Sequence, residues 1–125
     1  MTRISDRFLQ IGVLFALGGM GLGVWMGATE NFTLRSVHAH INLLGWVSML
    51  IYGLIYRVVP RAAEGRLPVV HFWLSLLSLI AMIPTLALFL LGNAAMAMPL
   101  GLASIGLWAG MLVFAVIVFK ATWKA

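Results

Sequence analysis

The chain has 125 residues, 63% of them hydrophobic and only 9% charged, with a mean hydropathy of +1.09. Soluble domains carry about 25% charged residues, and one core of this size could not hide so much apolar side chain from water, so a soluble fold and disorder are excluded. The net charge of +5 reflects scarce acids, eight Lys and Arg against three Asp and Glu, and does not point to nucleic acid; the absence of Cys excludes disulfides, thiolate metal sites and thiol nucleophiles.

A membrane-crossing helix needs about 20 mainly apolar residues. Four stretches qualify: Phe8–Ala28, Ser36–Val59, Val69–Leu91 and Ala94–Phe119. The first follows Arg3 and Arg7 as a secretory leader would. It is too long for one and ends without a small-x-small cleavage pattern, so it is read as a retained span. The breaks are short: Thr29-Glu30-Asn31, Pro60 to Pro68, and Gly92-Asn93. None can separate domains. The expectation is a single four-span transmembrane domain over residues 1–125, an all-α, integral membrane four-helix bundle.

Basic residues orient such a bundle. Arg3, Arg7, Arg57, Arg61, Arg66, Lys120 and Lys124 fall on one side and only Arg35 on the other. Both termini are therefore expected in the cytoplasm, for a protein of a bacterial-type inner membrane. Gly19, Gly23 and Gly27 in the first span, and Gly106 and Gly110 in the fourth, repeat every four residues. Such stripes let another helix approach closely, either within the bundle or from a second subunit. Pro84 should kink the third span, whereas Pro99 falls in the first turns of the fourth, where it costs less. Trp25, Trp46, Trp73, Trp108 and Trp123 are read mainly as belt residues near span ends.

Ligand-capable side chains inside a span are expensive and so mark candidate sites. His38, His40 and Asn42 stand near the outer end of span two, and His71 near the inner end of span three. Two residues turn an α-helix by roughly 200°, so His38 and His40 face opposite sides and cannot easily chelate one ion. The His38 face continues through Asn42, Gly45, Tyr52 and Tyr56; the missing side chain at Gly45 would leave room for a flat macrocycle. His38 and His71 are expected more than about 20 Å apart along the membrane normal, too far to share one heme within a protomer. Two axial histidines at one depth would then need a second copy of the chain, and a closed oligomer follows. His71 is read instead as an interhelical hydrogen-bonding residue anchoring its end of the bundle with Arg66 and Trp73.

The run His38-Ala39-His40-Ile41-Asn42-Leu43-Leu44-Gly45-Trp46-Val47, continuing to Gly53, Tyr56 and Pro60, resembles the tenth transmembrane helix of heme–copper oxidase catalytic subunits. It is similar to the cytochrome c-oxidising branch, whose relatives include nitric oxide reductase. The shared pattern is His-x-His, a Gly-rich helix, then Tyr-x-x-x-Pro. The next span opens His71-Phe72-Trp73-Leu74, similar to the family's eleventh helix. Spans two and three carry the likeness; the outer spans match by position only.

The resemblance implies that His38 ligates a high-spin heme and His40 a low-spin heme, and that His71 is no axial ligand. A family subunit has three four-helix arcs, whereas this chain has the length of one. It lacks further histidines for a copper centre, and Asp6, Glu30 and Glu64 all lie outside the spans, so no proton channel is recognisable. The expectation is a homotrimer in the lipid bilayer, each copy one arc, with heme b held between His38 of one copy and His40 of the next. Asn42 and Gly45 would line that site. Filled axial positions favour electron transfer or heme and gas binding over turnover, with no redox partner identified. The alternatives are a heme-free copper- or zinc-binding or transport protein, and an accessory or assembly subunit of a respiratory oxidase.

Overall fold

A computed structural model describes residues 3–123, which leaves Lys124 of the expected basic side outside the described residues. It is an all-α bundle of four long helices: α1 (Ile4–Thr29), α2 (Arg35–Val58), α3 (Leu67–Leu90) and α4 (Ala94–Thr122). All four are long and apolar enough to cross a membrane.

The four expected spans coincide with these helices, but α1 starts before Phe8 and α4 runs past Phe119. Backbone hydrogen bonding continues through polar end residues that an apolar count leaves out. The ends obey local chemistry. Glu30 closes α1 in the left-handed region, and Asn31 Oδ1 accepts hydrogen bonds from the Thr33 N–H and hydroxyl before α2 begins. Pro60 starts a 3-10 turn, Pro60–Ala63, and Gly65 at φ 79° reverses the chain ahead of α3. Asn93 then caps the first turn of α4 by accepting from the Ala95 N–H.

The bundle is built from two hairpins, α1 with α2 and α3 with α4. The glycine stripes make these pairings. A Cβ at Gly19 would lie 2.9 Å from the Asn42 and Ile41 side chains, and one at Gly110 would lie 2.7 Å from Ser75 Oγ. Gly106 is likewise pressed against Ser78. These positions are occupied by internal packing; Gly27 alone of the two stripes meets open space.

The hairpins join around an aromatic core. Phe8 of α1, Tyr52 and Tyr56 of α2, Phe72 of α3 and Phe114 of α4 converge there with Met49, Leu76 and Leu79. A smaller cluster of Val37, Ile41 and Leu86 closes the opposite half. Arg3, Arg7, Arg57, Arg61, Arg66 and Lys120 gather at one end, here termed the basic end. There Arg57 pairs with Asp6 and donates from Nε to Ser5 Oγ at 3.3 Å, tying the end of α2 to the start of α1.

Three of the five tryptophans, Trp25, Trp73 and Trp123, lie near helix ends, and two do not. Trp46 and Trp108 sit mid-helix: Trp46 is half-buried against Gly12, and Trp108, largely exposed, lines a cavity with Tyr52 and Ser75. Helix α3 also continues unbroken through Pro84, with the Thr85 hydroxyl donating to the carbonyls of Ala81 and Met82 beside the gap in the backbone ladder.

Helix α2 is not a regular α-helix. Residues Ile41–Val47 form a π-helical stretch, with α-helical turns on either side. The buried positions Val37, Ile41, Gly45 and Met49 recur every four residues. In an α-helix of 3.6 residues per turn, each such step overshoots by roughly 40°, and three would carry the side chains off the core face. The wider i→i+5 turns absorb the overshoot. Ser48 reinforces the stretch by donating its hydroxyl to the Leu43 carbonyl at 2.8 Å.

Candidate functional site

His38 lies in the first turns of α2, on the side facing α1. Its ring Nδ1 is 2.6 Å from the Gly19 carbonyl oxygen. A carbonyl can only accept, so Nδ1 carries the proton and donates, and the lone pair resides on Nε2. The ring fits because α1 has no side chain beneath it: a Cβ at Gly23 would come within 2.7 Å of His38 Cε1. Asn42, one turn on, donates from Nδ2 to the His38 carbonyl at 2.9 Å. The same Nδ2 is 3.2 Å from His38 Nδ1, but two N–H groups cannot bond each other, so this approach is a packing contact. Asn42 thus steadies the helix turn bearing His38.

His40 is held within its own helix. Its Nδ1 donates to the Ser36 carbonyl at 2.6 Å, with the Ser36 hydroxyl 3.3 Å away. As in His38, the Nδ1 proton is committed and Nε2 has no hydrogen-bond partner among the described residues. Both rings are half-buried. A metal-ligating imidazole is commonly prepared in this way: a carbonyl takes one N–H, which fixes tautomer and orientation and raises the basicity of the other nitrogen. No cluster of three or more His, Cys, Asp or Glu suited to a metal ion occurs among the described residues.

Gly45 departs from expectation. The ring of Phe15 from α1 fills the space over it, and a Cβ there would lie 2.6 Å from Phe15 Cγ. The opening for a macrocycle at Gly45 is therefore closed by packing within the protomer. The π-helical stretch contributes, because it turns Gly45 into the core-facing row instead of keeping it beneath His38.

His71 forms an interhelical hydrogen bond, as expected, but its partner is Tyr56 of α2 in place of Arg66 and Trp73. Its side chain is fully enclosed, at 0% exposure, while Trp73 points outward. The imidazole is flanked by Phe8 and Phe114, each with ring centroids 5.0 Å away, and meets Tyr52 edge-on at 4.4 Å. The Tyr56 hydroxyl bonds its Nδ1 at 2.8 Å, and Nε2 is left without a partner. This Tyr56–His71 pair was not anticipated, yet its signal was present. Tyr56 ends one span, His71 begins the next, and a short loop returns the chain to the same depth.

Depth separates the two sets of groups, as expected. From residue 38 to residue 56, α2 rises about 27 Å. His38 and His40 therefore stand at one end of the bundle, and the enclosed Tyr56–His71 pair near the other.

The cradle under His38 makes a specific test. Gly23→Ala places a methyl group in the space of the imidazole, so the ring must leave the Gly19 carbonyl. Nitrogen-15 NMR of the labelled imidazoles should show His38 losing its fixed Nδ1–H tautomer while His40 keeps its own. An unchanged His38 signal would contradict the cradle.

Comparison of the chain with protein-family models, with curated proteins and with solved structures finds no match in any of the three.

Proposed function

We propose that this is a heme b-binding integral membrane protein related to the catalytic subunit of heme–copper oxidases, with His38 and His40 as axial ligands. The observation that carries the reading is the shared state of the two imidazoles. Each spends its Nδ1 proton on a backbone carbonyl and presents an unpartnered Nε2. His71 is differently made: its enclosure among aromatic rings leaves no room for a porphyrin.

Because His38 is turned toward α1 and the polar contacts of His40 stay on its own helix, one protomer does not close both axial positions on a single iron. The reading therefore keeps the shared site: His38 of one copy, His40 of the next, in a homotrimer. Both termini lie in the cytoplasm of a bacterial-type inner membrane, following the basic residues. Asn42 acts as a positioning residue, and Gly45 packs α1 against α2 instead of contacting the cofactor. Bound heme would supply a one-electron iron couple. The chain would hold the iron through the two Nε2 atoms, and its backbone carbonyls fix their tautomers. That set suits electron transfer or storage better than reaction at the iron.

The test is an absorption spectrum of the purified protein, oxidised and then reduced, together with iron content and mass in detergent. Expected are a six-coordinate b-type spectrum and one heme per chain in an oligomer. A stable monomer with full heme content would remove the shared-ligand arrangement. Stoichiometric copper or zinc without iron would replace heme altogether.

A further inference from the structure

At the basic end the seam between the two hairpins is open. Helices α1 and α3 touch at few points, and a groove of about 330 Å³ lies between them, lined by Arg7, Gln10, Ile11, Phe72, Trp73 and Leu76. Its lining changes in order with depth. Arg7 stands one turn into α1 and is exposed. It makes no ion pair or hydrogen bond among the described residues, unlike Arg57, which Asp6 and Ser5 engage. Gln10 and the half-exposed indole of Trp73 come next, and Ile11 and Leu76 form the apolar floor toward the bundle's middle.

We propose that this groove binds an anionic phospholipid, its phosphate on the Arg7 guanidinium and an acyl chain along Ile11, Phe72 and Leu76. The order of groups matches the molecule: cation for phosphate, amide and indole at the glycerol level, hydrocarbon below. A guanidinium offers paired N–H donors to phosphate oxygens. An indole at the boundary between headgroup and hydrocarbon satisfies its N–H while burying its rings. The surplus of bases at this end raises the local concentration of anionic lipid. A zwitterionic lipid would gain little from the unpaired charge, and a second copy of the chain would bring another basic end against it.

Native mass spectrometry of the full chain, released from detergent with phosphatidylglycerol or phosphatidylcholine of identical acyl chains, tests the proposal. The wild type should retain the phosphatidylglycerol about fivefold better, the effect of one basic contact with an anionic headgroup. Arg7→Gln should remove that preference. Arg61→Gln, at the same end but lining a different cavity with Glu64 and Lys120, should keep it. Ile11→Trp fills the groove without changing charge and should lower retention of both lipids, which covers the case of an unfolded Arg7→Gln. Equal retention of the two lipids by the wild type, or undiminished preference in folded Arg7→Gln, overturns the proposal. So does lipid that binds only after an oligomer dissociates, since a second copy would then fill the groove.

Discussion

His38→Ala and His40→Ala should each reduce the b-type absorbance of purified protein to background, while His71→Ala leaves it nearly intact. The difference follows from how each imidazole is held. His38 and His40 offer Nε2 lone pairs at one end of the bundle, and in the proposed site losing either would leave the iron with one axial nitrogen. His71 is caged about 27 Å away along α2 and makes its one hydrogen bond to Tyr56. Asn42→Ala should give a smaller loss, because it loosens the turn bearing His38 without removing a ligand. Quantified heme per chain is the measurement. Loss of heme in His71→Ala alone would show that the ligands had been assigned to the wrong end.

Phe8→Ala should destabilise the bundle more than any other single truncation. Phe8 has no exposed surface and packs its ring on Tyr52, Tyr56, His71 and Phe72, centroids 5.0–5.5 Å away, so it joins α1 to both α2 and α3. Truncation of a buried Phe costs about 3–5 kcal/mol in water-soluble proteins, part from transfer and part from the cavity left behind. In a bilayer the unfolded helices meet hydrocarbon, so the transfer part shrinks and the packing part remains. About 3 kcal/mol is expected, read as a shift in the denaturant midpoint of the purified protein in micelles. Leu14→Ala on the exposed face of α1 serves as the comparison and should move the midpoint little.

Much of the architecture was legible because lipid imposes a simple rule: backbone polar groups must bond within the segment, so long apolar runs become helices. The four spans and the separation of His38 from His71 came from length and order alone. Partner choice did not. The stripe of Gly19 and Gly23 was equally compatible with a neighbouring subunit, and only the placement of His38 and Asn42 against it identifies α2 as the neighbour. The neighbour of Gly45 was hidden for a related reason. A helical wheel assumes one constant turn, whereas α2 changes its turn between His40 and Ser48, so faces drawn from one end do not hold at the other. The tautomers of His38 and His40 were also hidden, since the carbonyls that set them belong to Gly19, on another helix, and to Ser36, whose side chain gives no hint of it.

The widened stretch of α2 also means that the two halves of this helix keep separate angular settings. Returning residues 41–47 to ordinary α-geometry at the same length would swing everything beyond by about 120°. The imidazole end would stay seated on α1 while Tyr56 rotated away from His71. Deleting one residue together with that change would cancel about 100° of the swing, so a lineage could exchange the wide turn for an α-helical one and leave both ends of the bundle seated.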